Sequence, residues 1–453
     1  MGDFFGSIWW LLVTLGLLIT FHEFGHYSVA RLLGVKVLRF SVGFGKPIWT
    51  RVARNGTEFV ISLLPLGGYV KFLDSREAEV SPEDADGDFN SKAVWKRAAI
   101  TVAGPLFNLI FTIAALWAMF IIGKADYQPV IGKVDGVSAT AGFAAGDTIT
   151  KVGVEPVQTL TDAGFLLLGH AMDRGAVDVT VTDAQGKTAT RRLDTSGIPR
   201  GIEEVELLRQ VGITWRPFLP GPAQFSQVSK DSPAAAAGFK AGDRVVSVNE
   251  IPISDSATFV ETVQKLASAQ TPLSVVVQRG TERQTLTVTP KAATSDEGPR
   301  WQIGVTLAAP PPVAQDALLR YGPIAALGAA FRETASLTGR TLAMLKRMIV
   351  GSASLKNISG PISIAQTANA SAQLGAGWFL YFLALISLSL CIMNLLPIPI
   401  LDGGHLVYYL IESVKGSPVS ERMLIAGQYA GLVLLAALMG LAFYNDIVRQ
   451  LPS

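Results

Sequence analysis

Ile8-Trp9-Trp10-Leu11-Leu12-Val13-Thr14-Leu15-Gly16-Leu17-Leu18-Ile19-Thr20-Phe21-His22-Glu23-Phe24-Gly25-His26 is an apolar run that ends in two histidines and a glutamate. Crossing a bilayer takes about 20 apolar residues, and this run is long enough. On a helix the H-E-x-x-H spacing puts both imidazoles on one face with a carboxylate beside them. Ionisable groups at bilayer depth are costly, so they mark function. The whole chain has 453 residues and only 4 histidines, two of them here, so the pattern does not come from a histidine-rich composition.

Working outward, hydrophobic residues make up 49% of the chain and charged residues 16%. Soluble domains carry about 25% charge, so the balance predicts a polytopic α-helical membrane protein. Four transmembrane helices are expected, at 1–33, 98–123, 378–397 and 424–444. Met1 to Ser7 holds no Lys or Arg, so the first run reads as a retained helix rather than a signal peptide. Arg31, Lys36, Arg39, Lys46, Arg51, Arg54, Lys92, Lys96 and Arg97 crowd the loop between the first two spans. Positive short loops stay in the cytoplasm, which puts the long segment after Lys124 and both termini outside. The net charge of +2 gives no argument for a nucleic-acid partner. Cys391 is the single cysteine, which excludes an intrachain disulfide and a cysteine metal site.

The cytoplasmic loop has its own pattern. Val37 to Phe44 reads as a strand, and Ile48 to Ala53, Asn55-Gly56 and Thr57 to Leu64 read as a hairpin. Leu66 to Val70 is a further extended piece. The region 34–73 is therefore a membrane-associated β-hairpin or sheet; the alternative is a small soluble β-subdomain. Residues 74–97 are acidic and polar and read as a linker.

The long outer segment repeats itself. Ala141-Gly142-Phe143-Ala144-Ala145-Gly146-Asp147 returns as Ala237-Gly238-Phe239-Lys240-Ala241-Gly242-Asp243. Apolar residues follow each copy, so the expected unit is a short helix, a Gly-Asp turn and a strand. The heptad resembles the core of PDZ domains, which implies two tandem extracytoplasmic PDZ-like domains, β-rich α+β, at 129–215 and 216–308. Such a domain takes peptide on a sheet edge; the alternative is a pair of spacers. Residues 309–377 read as amphipathic and helical, lying on the membrane interface or packed on the second repeat.

Two histidines are not enough for a catalytic zinc, which usually takes three protein ligands. Asn394-Leu395-Leu396-Pro397-Ile398-Pro399-Ile400-Leu401-Asp402-Gly403-Gly404-His405 ends the third span in prolines and glycines that break a helix. Spans one and three both run inward, so Asp402 falls on the same side as His22 and His26. Asp402 is the expected third ligand. His405 competes for that place, and a plain helix cap is the bland role for Asp402. Loop 398–423 leads to the last span.

H-E-x-x-H in the first span, N-x-x-P-x-P-x-L-D-G in the third and the tandem repeats between the second and third spans resemble the site-2 protease family of intramembrane zinc metalloproteases, and in particular its bacterial RseP branch. Ala103-Gly104-Pro105 with Asn108, and Gly43-Phe44-Gly45, resemble that branch too. The likeness implies one Zn2+ per chain on His22, His26 and Asp402, with Glu23 as the catalytic base. Asn394, Pro397, Pro399, Gly43, Phe44 and Gly45 are candidates for the substrate-binding surface, and an unpaired strand edge would hold substrate extended. The implied substrates are single-span membrane proteins such as an anti-sigma factor, cut beforehand by an upstream periplasmic protease, or signal-peptide remnants. Lipid is the surrounding partner, and the implied location is the bacterial inner membrane, with the active site near its cytoplasmic side and the PDZ-like pair as a periplasmic filter. Competing readings are a non-catalytic PDZ scaffold and a transporter; no inverted repeat supports the latter.

Overall fold

The computed structural model describes residues 2–76, 80–82, 84–199, 204–267, 272–295, 298–310, 313–351 and 358–450. They form two units, one of residues 2–125 and 318–448, the other of 126–199 and 204–317.

Four helices in the described residues are long and apolar enough to cross a membrane: Phe4–Leu32, Val94–Ile122, Ala376–Leu395 and Glu421–Gln450. The second helix starts before the expected 98 because Trp95, Lys96 and Arg97 form a polar first turn that hydropathy does not see. Arg97 is buried there and pairs with Glu412 at 2.7 Å. The fourth helix runs past the expected 444 into Asn445 and Asp446, both buried. Asp446 accepts the backbone N–H groups of Gly360, Ile362 and Ser363 at 3.0, 2.9 and 3.1 Å. It thereby caps helix Pro361–Gln373, whose own N-cap is the side-chain-free Gly360.

The second and third helices make the core of this unit. Leu116, Met119 and Phe120 pack with Tyr381, Ala384 and Leu388, and Leu18 joins them from the first helix. Thr112 Oγ1 donates across to Ala384 O and Ser387 Oγ to Asn108 O, at 3.3 and 2.8 Å. Small residues at the crossing let the backbones approach. Within 309–377, helix Pro323–Ile349 lays Ala326, Ala329, Ala330 and Leu337 into this same core. Its small apolar residues therefore pack on the membrane helices.

Val37–Val52 and Glu58–Phe72 are two long bent strands. Segment 37–42 is flanked on both sides: Val42 lies opposite Gly68 and opposite Ile61, while Thr50 lies opposite Val60. The bend falls at Gly43 and Gly45, with φ of +92° and +90°, a region that only glycine adopts without strain. Among the described residues, 68–72 has no strand partner on its outer edge. Phe44, Ile48, Trp49, Ile61, Leu63 and Leu64 are exposed large apolar groups on this sheet, a surface that fits contact with lipid. Segment 84–92 is organised by the buried Asp88, which accepts from Ser75 N and Ser91 N at 2.8 and 2.9 Å.

The other unit contains the same arrangement twice. A four-stranded antiparallel sheet has the order Glu155–Pro156, Thr148–Val152, Ala176–Thr182, Thr188–Asp194, and a second has the order Ile251–Pro252, Arg244–Val248, Leu273–Arg279, Glu282–Val288. A helix covers each, Leu160–Asp173 and Ser256–Ala267. A short pair closes each, Ile131–Val134 with Ile213–Trp215 and Phe225–Val228 with Val305–Leu307. Val177, Val179 and Val181 in one central strand, and Val275 and Val277 in the other, alternate inward to the core. The copies differ in what precedes the closing strand. The first has helix Glu204–Val211 there, and the second has hairpin Lys291–Ser295 with Gly298–Gln302.

Candidate metal centre

Among the described residues, one group of three or more His, Cys, Asp or Glu side chains has its ligand atoms gathered within 4.8 Å: His22, His26 and Asp402. His22 Nε2 lies 3.2 Å from His26 Nε2 and 3.3 Å from Asp402 Oδ2, and His26 Nε2 lies 3.6 Å from Asp402 Oδ1. Ligand atoms about 2.0–2.1 Å from a tetrahedral zinc stand roughly 3.3 Å apart, so the three spacings suit one ion.

The donor chemistry agrees with the distances. His26 Nδ1 is 2.8 Å from Ile100 O, which can only accept. That nitrogen therefore carries the proton, and in the neutral ring Nε2 presents a lone pair. The lone pair faces a carboxylate. Asp402 Oδ2 is buried and accepts no hydrogen bond. Lone pairs aimed at one point repel unless a cation sits among them, and a buried carboxylate oxygen without a partner is costly. The residues fit a divalent metal.

The chain positions each group by simple means. The histidines share one face of the first helix by their spacing of four. The second helix meets them closely. A Cβ on Gly104 would lie 2.3 Å from His26 Nε2 and 2.8 Å from His22 Cε1, and one on Gly25 would lie 2.3 Å from Ala103 O. Pro105 gives no N–H to the Thr101 carbonyl, so the ladder is interrupted next to the carbonyl that receives His26. Asp402 opens helix Asp402–Lys415 after the break at 396–401. Gly403 and Gly404 let that helix start against the chain, since a Cβ on either would lie 2.2–2.3 Å from Leu396 O or Ile398 O. Arg97 braces the far end of the same helix through Glu412 and stacks on Tyr409, 5.2 Å from the ring centre.

Glu23 is half-buried beside strand 68–72, where a Cβ on Gly68 would lie 3.2 Å from Glu23 Cγ. Asn394 stands half-buried on the last turn of the third helix, and Pro397 and Pro399 lie in the break after it. Gly43, Phe44 and Gly45 form the strand bend, with Phe44 stacked on Tyr69 at 6.2 Å. His405 is outside the three-residue group and meets Tyr408 edge-on. The repeat heptads serve their own turns. Asp147 Oδ2 accepts from Ala144 N at 3.0 Å and Asp243 Oδ2 from Lys240 N at 2.9 Å. Phe143 and Phe239 are core residues, and Gly142, Gly146, Gly238 and Gly242 supply the positive φ. Cavities lie elsewhere in each copy: an apolar one of about 240 Å³ between Leu160–Leu168 and Leu208–Trp215, and one of mixed lining, with Ser229, Gln264 and Gln302, of about 390 Å³ between Phe259–Gln264 and Trp301–Leu307.

Sequence reading did not find the roles of Gly104 and Ile100. The signal was a second spacing of four: Ile100, Gly104 and Asn108 line one face of the second helix, in register with His26 and His22.

The model of peptidase family M50 matches residues 10–438. The chain belongs to peptidase family M50. A protein of Xylella fastidiosa (strain Temecula1) that carries a zinc-metalloprotease name is 48% identical to this peptidase over 448 residues, covering 99% of this chain and 100% of its own. The regulator of sigma-E protease RseP of Salmonella typhimurium (strain 14028s) is 41% identical, covering 98% and 99%. The namesake in Escherichia coli (strain K12) is 40% identical, covering 97% of each. Among solved structures, the PDZ domain of a Listeria monocytogenes SdrC-like protein covers 19% of this chain and 86% of its own, at 21% identity and a TM-score of 0.17, too slight a likeness to fix the fold of either copy. This M50 peptidase is an intramembrane zinc metalloprotease of the site-2 family, in the RseP branch, and Zn2+ is its metal.

Proposed function

We propose that this peptidase holds one Zn2+ on His22, His26 and Asp402 and cuts a peptide bond within the transmembrane segment of single-span membrane proteins. The observation that carries this reading is the convergence of the two Nε2 atoms and the Asp402 carboxylate at 3.2–3.6 Å. When bound, zinc acidifies water and polarises a carbonyl. Glu23 takes the attacking water's proton and returns it to the leaving amine. His26 is held in its tautomer by Ile100 O, so its Nε2 stays free of a proton.

A helical substrate hides its carbonyls in its own hydrogen bonds and must be unwound before it is cut. Gly68-Tyr69-Val70, lying along Glu23 with a free outer edge, holds the unwound segment by strand addition. Gly43-Phe44-Gly45 shapes that sheet, Pro397 and Pro399 shape the opposite wall, and Asn394 offers its amide to the freed backbone. The repeats are tandem PDZ-like domains on the periplasmic side, and the active site lies near the cytoplasmic side of the inner membrane; the positive loop between the first two helices supports that orientation. The substrate class is an anti-sigma factor trimmed outside by another protease, a reading that the sigma-E regulator name of two relatives supports; signal-peptide remnants are a second class.

Reconstitution with a single-span substrate tests the reading. Glu23→Gln lowers cleavage sharply and retains zinc; equal cutting by both forms refutes the base assignment. Removal of 129–308 lets untrimmed substrate be cut, and unchanged discrimination refutes the filter.

A further inference from the structure

Asn108 belongs to the second helix and is fully buried. Its backbone carbonyl is already used, accepting from Thr112 Oγ1 at 2.9 Å and Ser387 Oγ at 2.8 Å. Its side chain points at the histidines: Nδ2 lies 3.2 Å from His22 Nδ1. Its Oδ1 is buried with no hydrogen bond. Those facts conflict with a metal on His22. If Nε2 gives its lone pair to the metal, Nδ1 carries the proton and requires an acceptor. An amide NH2 is a donor only. Turning the amide over about its Cβ–Cγ bond resolves both problems with no change of shape: Oδ1 takes the Nδ1 proton, and the orphaned oxygen gains its partner.

We propose that Asn108 is the positioning residue for His22, its Oδ1 fixing the tautomer that leaves Nε2 free for metal. This rests on the metal-site reading above. It makes the two imidazoles equivalent in kind. His26 donates to a main-chain carbonyl, Ile100 O, and His22 donates to a side chain eight residues further along the same helix. Gly104, midway between them, is the gap into which both rings fit. The second helix thus aims both ligands from one face.

The test is zinc affinity of the purified full chain, measured by chelator competition for wild type, His26→Ala, Asn108→Leu and Asn108→Asp. Aspartate keeps the shape and presents an oxygen in either orientation; leucine keeps the volume and offers no acceptor. Loss of such a partner weakens metal binding about 10–100-fold. That is the result expected for Asn108→Leu, with Asn108→Asp restoring affinity to within about threefold of wild type. A packing role alone would leave zinc affinity unmoved, or impair both variants alike. Zinc affinity of Asn108→Leu within about threefold of wild type, or equal loss in both variants, overturns the proposal while leaving the metal site standing. Retention of zinc by His26→Ala overturns the site and the proposal together. Where leucine prevents folding, Asn108→Ala takes its place under the same criterion.

Discussion

Asp402, half-buried with a buried Oδ2, lies in the membrane-helix unit and the buried Asp243 in the repeat unit, and the fold treats the two carboxylates in opposite ways. Asp243 is saturated. Its oxygens receive Arg279 Nε and Nη2 at 2.7 Å each and Lys240 N at 2.9 Å. Asp402 Oδ2 receives nothing and faces imidazole nitrogen. Membrane depth does not explain the contrast, because Asp446, on a helix of the same unit, is saturated by three backbone N–H groups and a hydroxyl. A carboxylate that ties structure together collects donors. Asp402 is kept from them, as the proposed metal ligand would be. The contrast sets Asp402 apart from Asp243 and Asp446 without reference to any relative.

The contrast can be broken or sharpened by four experiments of decreasing effect. Glu23→Gln removes the proposed base alone and is expected to lower cleavage about 10²–10⁴-fold with zinc content unchanged, since general base catalysis is worth that much; metal analysis beside a cleavage assay checks it. Gly104→Ala puts a methyl 2.3 Å from His26 Nε2 and is expected to expel zinc while the helices keep their place, read as metal content beside helical circular dichroism. Arg279→Met strips Asp243 of its counter-charge. Asp243 is fully buried, so losing its partner leaves an uncompensated charge and is expected to destabilise the second repeat. It is read as faster hydrogen exchange in strands Arg244–Val248 and Leu273–Arg279. Ser363→Ala removes one of several donors from Asp446 and is expected to cost about 1 kcal/mol, seen as fraying of helix Pro361–Gln373.

Acidity acts on the saturated side of the comparison. Burial pushes the Asp243 carboxyl up, but the Arg279 fork and the Lys240 N–H outweigh it and hold the group below its ordinary range. An unfolded aspartate titrates near 3.9. The folded value is lower, so this carboxylate's stabilisation is fully present above about pH 4 and is lost as pH falls through the folded value. Exchange protection of the second repeat should therefore fall in acid, and Asp243→Asn should flatten that dependence.

Much of this was legible in the sequence because the signals were local. His22 and His26 need only a helix to share a face, and the Gly-Asp heptads need only a turn. Asp402 was legible because prolines and glycines around it forbid a continuous helix. What escaped depends on contacts between distant segments. Asp446 looks like an ordinary polar helix end until Gly360 lies beneath it. Helix Pro361–Gln373 falls inside the stretch read as helical, but it is rich in Ala, Ser, Thr and Asn without a strong apolar stripe, so only its leading Pro hinted at where it starts. Asn108 reads as a stray amide in an apolar span until the first helix is laid against the second. Lys36 and Asp84, which pair at 2.8 Å across the polar segment, are likewise far apart in sequence.

Zinc content of Asp402→Ala against His405→Ala tests the central claim most directly. The account predicts that the Asp402 variant loses its zinc and the His405 variant keeps it. Normal zinc in the Asp402 variant would contradict it.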